Sequence, residues 1–119
     1  MQHSPEFLAI VQSVLPKIKE ITIADYQKQN DWQLIDVRED REWITSHIPD
    51  AVHIGKGVIE RDIEVKFSDK STPLVLYCGG GYRSALSAYN LQLMGYTNVV
   101  SLIGGFKAWT DLALPVVTD

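Results

Sequence analysis

Pro73-Leu74-Val75-Leu76-Tyr77-Cys78-Gly79-Gly80-Gly81-Tyr82-Arg83-Ser84-Ala85 is the stretch on which the reading of this chain turns. Leu74–Tyr77 is a continuous apolar run after a proline, the pattern of a central strand buried on both faces. Three glycines break it, and a helix then runs from about Tyr82 to Met94. Gly95 stands where a C′ glycine stops such a helix. Ala85, Leu86, Tyr89 and Leu93 are its expected apolar stripe. The sole cysteine falls where the strand ends and the helix has yet to begin.

Working outward, strand-like and helix-like pieces alternate. Toward the N-terminus, Gln33–Val37 reads as a strand and Glu39–Ser46 as a helix. Ala51–Ile54 reads as another strand, with a helix around Val58–Phe67. Glu20-Ile21-Thr22 is a short strand, followed by a helix from Ile23 to Gln29 capped by Thr22. Toward the C-terminus come a strand at Val99–Leu102 and a helix at Phe106–Leu112. Short helices between strands imply crossover connections, so the pattern predicts an α/β domain with a central, mainly parallel, five-stranded sheet covered by helices on both faces. Sites in such sheets form at the carboxyl ends of strands.

Ahead of this unit, Ser4 is an N-cap and Pro5 suits the first helical position. Phe7, Leu8, Val11, Val14 and Leu15 recur at helical spacing as far as Pro16. Residues 1–19 therefore read as an N-terminal helical extension, and residues 20–119 as the domain on which its apolar stripe packs.

Composition removes several classes of function. The 119 residues carry 11 Lys+Arg against 15 Asp+Glu, a net charge of −4 without any basic stripe, so nucleic acid is not an expected partner. No apolar run approaches the ~18–20 residues of a membrane span. The start, Met1-Gln2-His3-Ser4-Pro5-Glu6, lacks the basic region of a signal peptide, which makes cytoplasmic the expected compartment. One cysteine cannot close an intramolecular disulfide or build a structural zinc or iron–sulfur site. His3, His47 and His53 are too scattered to form a ligand cluster. Neither a metal nor an organic cofactor is expected.

The Cys78 loop has a chemistry of its own. Glycines leave backbone N–H groups free to turn inward, and inward amides at a helix N-terminus form a nest for an anion. An ordinary thiol, with a pKa of ~8.5, is ionised to only a few per cent at pH 7. Raising that to about half takes only ~2 kcal/mol, which a few charge-assisted hydrogen bonds can supply. A cysteine can also be a small buried hydrophobe at a strand end. That alternative leaves the three glycines, the arginine and the helix start unexplained. The glycines fit neither GxxxxGK[ST] nor GxGxxG, so this is not a nucleotide loop.

With these residues in view, the chain resembles the single-domain rhodaneses, whose catalytic cysteine opens a C-x-x-x-x-R loop, here Cys78 to Arg83. Leu34-Ile35-Asp36-Val37-Arg38-Glu39, Glu42-Trp43 and His47-Ile48-Pro49-Asp50-Ala51 resemble the family's first flanking signature. Leu102-Ile103-Gly104-Gly105-Phe106-Lys107-Ala108-Trp109, with Leu114-Pro115-Val116, resembles its second. Together they span about Ile21 to Val116. The resemblance implies a rhodanese-like three-layer fold and a sulfurtransferase. A Cys78 persulfide would carry sulfane sulfur from a small anionic donor such as thiosulfate to a thiophilic acceptor, cyanide or a thiol. Carried over by position, Cys78 is the nucleophile, and the amides of Gly79, Gly80, Gly81, Tyr82 and Arg83 bind substrate. The Arg83 guanidinium is a further attraction for an anionic donor.

Three other readings stay open. A phosphatase or arsenate-reductase-like enzyme would place five residues between Cys and Arg, where this chain has four. A non-catalytic rhodanese module would typically lack the cysteine. A sulfur relay would exchange its sulfur with proteins. Asp36 and Arg38 are expected as a structural ion pair, and His47 as a residue that fixes its loop. Trp43 and Trp109 are expected as core aromatics before Trp109 or Phe106 is taken to line the site mouth. Asp50 and Gly55 stand where the family often has glycine and proline, which singles out turn geometry there.

Overall fold

In the computed structural model, which describes residues 3–118, strands and helices alternate in the expected order. Met1, Gln2 and Asp119, at the outer ends of the expected extension and domain, lie outside the described residues. The strands are β1 (Lys19–Ile21), β2 (Gln33–Asp36), β3 (Val52–His53), β4 (Leu74–Tyr77) and β5 (Val99–Leu102). The helices are α1 (Pro5–Val14), α2 (Ile23–Gln27), α3 (Asp40–Thr45), α4 (Ile59–Lys66), α5 (Tyr82–Leu93) and α6 (Gly105–Asp111). The five strands form one sheet in the order β1-β5-β4-β2-β3, and every pairing is parallel.

The run around Leu74 is central as expected: β4 lies between β5 and β2, and all four of its residues are buried. Strand alternation divides the core into two layers. Leu74, Leu76 and Cys78 face the layer that holds Ile59 and Ile63 of α4 and Ala88 and Leu91 of α5. Val75 and Tyr77 face the other, with Ile23 of α2 and Trp109 of α6. Helices thus cover both faces, and α1 packs against α5 through the buried Val11 and Val14.

Local differences from the sequence reading have physical causes. The first helix stops at Val14, and Leu15–Lys17 continues as a 3₁₀ turn around Pro16, which cannot donate an i→i−4 bond. The stripe of α5 is phased differently: Ser84, Ala85, Ser87, Ala88 and Leu91 are buried, whereas Leu93 is 69% exposed. Small residues face the sheet because α5 lies close to it, so a stripe sought among large apolar residues is turned away from the true contact face. Asp50 adopts φ 67°, the left-handed conformation that glycine takes most easily.

Beside β4, the β5–α6 turn carries Gly104 at φ 76° and Gly105 at φ 55°. A Cβ on Gly105 would collide with the Cys78 carbonyl oxygen and press on that of Gly79. Gly105→Ala is therefore expected to lower unfolding stability by about 1–3 kcal/mol through backbone strain and the clash. Thermal or denaturant unfolding checks this, and an unchanged transition would contradict it.

Candidate active site

Cys78 directly follows β4 and opens the run of three glycines. The loop that follows is held from behind. Phe106 N–H donates to Cys78 O at 2.8 Å and Lys107 N–H to Gly79 O at 2.9 Å, so the first turn of α6 takes both carbonyls. In a trans peptide the N–H points opposite to the carbonyl, so the Gly79 and Gly80 amides are turned away from α6. Gly81 sits at φ 100° with Gly104 N only 3.4 Å from where a Cβ would stand. It is the position in the loop where glycine is required; Gly79 and Gly80 have no left-handed φ.

The sulfur of Cys78 is the meeting point of three groups. Gly81 N–H donates to Sγ at 3.1 Å and Ser84 N–H at 3.4 Å, while the thiol S–H donates to Ser84 Oγ at 3.5 Å. Ser84 Oγ is 2.8 Å from Ser101 Oγ, and both serines are wholly buried. A hydroxyl both donates and accepts. When the thiol ionises, Ser84 O–H can turn to the sulfur and take a hydrogen bond from Ser101 in exchange. Of the five amides named from the sequence, Gly81 is the one bonded to Sγ, and the second amide comes from Ser84. No motif in the sequence points to the Ser84–Ser101 pair. Its only signal was a serine one residue past the C-x-x-x-x-R span and another inside an apolar strand.

Arg83 is oriented by a different element. Its Nη1 donates to Glu42 Oε1 at 2.7 Å and its Nη2 to Oε2 at 3.1 Å, a two-point pair. Glu42 Oε1 also accepts from Glu39 N–H at 3.2 Å, so the start of α3 is tied to the Cys78 loop. The Arg83 hydrogen bonds hold the Glu42 carboxyl below its ordinary value. The same bonds hold the Arg83 guanidinium above its own, against the cost of burial. The guanidinium also lies against Gly79, where an added Cβ would stand 3.1 Å from Nη2.

Below this layer, Arg38 and Asp36 form a buried pair with Nη2 to Oδ2 at 2.8 Å and Nε to both carboxylate oxygens. Arg38 Nη2 also donates to Ser46 O at 2.6 Å, and the guanidinium lies 4.2 Å from the Phe106 ring centroid. Burial disfavours that charge, but the Asp36 hydrogen bonds outweigh it and the Arg38 pKa is raised. Burial first, then the Asp36 charge, pushes the neighbouring Tyr77 hydroxyl far above its ordinary value. That hydroxyl accepts from Ile48 N–H at 3.1 Å. His47 fixes its loop, stacked 3.5 Å from Trp43 with Nδ1 beside Trp43 O, and Trp43 is half-buried against both His47 and His53.

A cavity of about 310 Å³ opens onto Cys78, with Glu42, Tyr82 and Arg83 among its walls. Trp109 is buried in the core, its Nε1 donating to Pro115 O, and Phe106 stacks on Tyr77; neither borders this cavity.

Residues 22–112 match the rhodanese-like domain model. The chain belongs to the rhodanese-like domain family. It is 31% identical over 93 residues to the thiosulfate sulfurtransferase GlpE of Coxiella burnetii (strain RSA 493 / Nine Mile phase I), covering 78% of this chain and 85% of that one. It is also 31% identical over 98 residues to the putative sulfur carrier protein YrkF of Bacillus subtilis (strain 168), covering 78% of this chain but about half (51%) of YrkF. Among solved structures, a Rhodopseudomonas palustris CGA009 protein described as a possible tyrosine phosphatase superposes with a TM-score of 0.81 at 28% identity, covering 98% of each chain. A rhodanese from E. coli superposes at 0.64 with 30% identity, covering 74% of this chain and 99% of that one. A sulfurtransferase-type activity follows at the level of the rhodanese-like family.

Two outcomes follow from the site geometry. Ser84→Ala removes the hydroxyl at the sulfur, and alkylation of Cys78 by iodoacetamide at pH 7 should slow by about tenfold, the worth of one hydrogen bond to a charged group. Glu42 has a folded pKa below its unfolded value. Its contribution to stability is therefore complete above the ordinary glutamate value of ~4.3 and is lost as pH falls through the lower folded value. The melting temperature of the wild type should exceed that of Glu42→Gln at neutral pH, and the gap should narrow as pH falls below the ordinary glutamate value; a gap constant with pH would refute the linkage.

Proposed function

We propose that the protein transfers sulfane sulfur through a persulfide on Cys78. The observation that carries this reading is the set of neutral partners around Sγ: the Gly81 and Ser84 amides donate to it, and the Ser84 hydroxyl, which accepts from the thiol, can turn to donate once the thiol is ionised, while the Gly79 and Gly80 amides are turned away from α6. In the first half-reaction the Cys78 thiolate attacks the outer sulfur of the donor. With thiosulfate, the S–S bond breaks, sulfite leaves with the electron pair, and Cys78 becomes a persulfide anion. In the second, a nucleophilic acceptor takes the outer sulfur and the pair returns to Sγ. The outer sulfur of a persulfide lies one bond beyond Sγ, where the remaining loop amides, Gly79, Gly80, Tyr82 and Arg83, are the nearest donors in sequence. Neither half-reaction changes the net charge, and neither calls on a metal or organic cofactor.

The unit that performs this chemistry is residues 20–119, with residues 1–19 as the helical extension. A compartment that keeps thiols reduced, such as the cytoplasm, suits a reaction that starts from a free Cys78. The four residues between Cys78 and Arg83 support sulfur transfer over phosphate-ester hydrolysis, because a phosphatase or arsenate-reductase-like loop would place five there to surround a tetrahedral oxyanion. The likeness to the putative sulfur carrier YrkF favours a second reading, in which the partners that load and unload Cys78 are proteins.

Incubation with thiosulfate should add one sulfur atom to the intact mass, and cyanide should then remove it as thiocyanate. Cys78→Ser should take up none. A wild type that gains no sulfur, or a Cys78→Ser protein that gains it equally, would overturn this function.

A further inference from the structure

Helix α1 is anchored by Val11 and Val14, but its N-terminal end reaches the active site. The His3 ring stands edge-on to Tyr82, with centroids 4.9 Å apart and planes at 83°, and lies 5.1 Å from Phe7. Phe7 in turn stands edge-on to Tyr82 at 6.4 Å. These are the separations at which aromatic rings attract one another. All three rings line the cavity that reaches Cys78, and His3 and Phe7 lie outside the span matched by the family model. Tyr82 belongs to the catalytic loop, so the extension is joined directly to it.

The rest of the mouth offers little net charge. Arg83 is matched by Glu42 at 2.7 Å, and Arg41 by Glu39 at 3.4 Å. A five-atom inorganic anion would fill only about half of the space, taking roughly 30 Å³ per heavy atom, the share of one water. An apolar wall, paired charges and spare volume together fit a partner larger and less charged than thiosulfate.

We propose that His3 and Phe7, with Tyr82, determine the sulfur acceptor. The wall selects an organic thiol with an aromatic or apolar group next to its sulfur, seated against the three rings. This inference rests on the sulfur-transfer reading above. The acceptor thiolate attacks the outer sulfur of the Cys78 persulfide, and the S–S bond of the persulfide breaks. The acceptor departs as its own persulfide while Sγ regains the electron pair, so no oxidant or reductant is consumed. His3 and Phe7 act as specificity determinants and take no part in bond making.

The full-length protein is loaded with thiosulfate, and release of sulfur is timed with benzyl mercaptan and, separately, with cyanide. The quantity read is the ratio of the two rates in wild type, Phe7→Ala, the double variant His3→Ala/Phe7→Ala, and Phe7→Tyr. Loss of a ring contact should lower the benzyl mercaptan to cyanide ratio by about three- to tenfold in the alanine variants, and Phe7→Tyr should restore it. An unchanged ratio, or an equal fall of both rates, overturns the inference while leaving sulfur transfer standing. As an independent readout, N-benzyl iodoacetamide should alkylate unloaded wild-type Cys78 faster than iodoacetamide, and the double variant should lose that preference. Retention of the preference in the double variant overturns the wall. Failure of wild type to take sulfur from thiosulfate overturns the function, and with it the acceptor named here, even where the alkylation preference is found.

Discussion

Two backbone hydrogen bonds hold the site together: those from the Phe106 and Lys107 amides to the carbonyls of Cys78 and Gly79. Without them the loop would have several ways to leave β4, since three glycines in a row impose almost no preference of their own. With them, both carbonyls are committed to α6, and the adjoining amides point away from it. The clamp itself depends on Gly105, whose lack of a Cβ lets the two backbones approach, and on the left-handed φ values of Gly104 and Gly105 that turn the chain into α6. Parallel pairing of β4 with β5 brings both loops to the same end of the sheet. Sequence, sheet order and loop geometry are therefore linked at one contact.

The buried Asp36–Arg38 pair serves as a second fixed point. A buried ion pair is costly to desolvate and contributes little net stability unless its remaining donors are satisfied. Here they are shared out: Asp36 also accepts from Arg38 N–H at 2.8 Å, and Arg38 also donates to Ser46 O. The pair thereby joins the end of β2 to the chain leaving α3, and its guanidinium lies over Phe106 in the first turn of α6. Because Glu42 of α3 holds Arg83, both sides of the cysteine loop are braced by residues that do not touch the sulfur.

The sheet was legible because its signals are one-dimensional. The run Leu74–Tyr77 is apolar throughout, and its shortness between Pro73 and three glycines favours a strand buried on both faces over a helix. Ser4 and Thr22 announce their helices through side-chain caps, and both accept the expected amides. The geometry of the candidate site was legible at the Cys78 loop for the same reason, and less so where it depends on pairs remote in sequence. Glu42 and Arg83 are 41 residues apart, and nothing local marks either as the other's partner. Ser84 and Ser101 look like ordinary polar residues, since a serine does not reveal whether it faces water or a buried sulfur. Phe7 reads as one more apolar residue of an amphipathic helix; only the tertiary packing turns it and His3 toward Tyr82. The misphased stripe of α5 has a related cause, because close packing on a sheet selects Ala and Ser by size.

The charge of −4 and the single cysteine meet in the electrostatics of the mouth. A bare cation beside the sulfur would favour the thiolate over every other state and would bind most strongly the charge nearest to it. The structure instead pairs Arg83 with Glu42 and leaves the sulfur to two amides and a hydroxyl. Such dipoles act at hydrogen-bond distance, where surface charge and salt matter little. They also suit the proposed sulfur transfer, in which the charge moves: a thiolate and a persulfide each carry one negative charge, displaced by a single bond. Neighbouring amides of one loop can follow that displacement without any side chain changing its partner. With the strong cation neutralised, the proposed discrimination between partners would fall to shape and apolar contact, and the aromatic rings of the mouth are concentrated where the N-terminal end of α1 meets Tyr82.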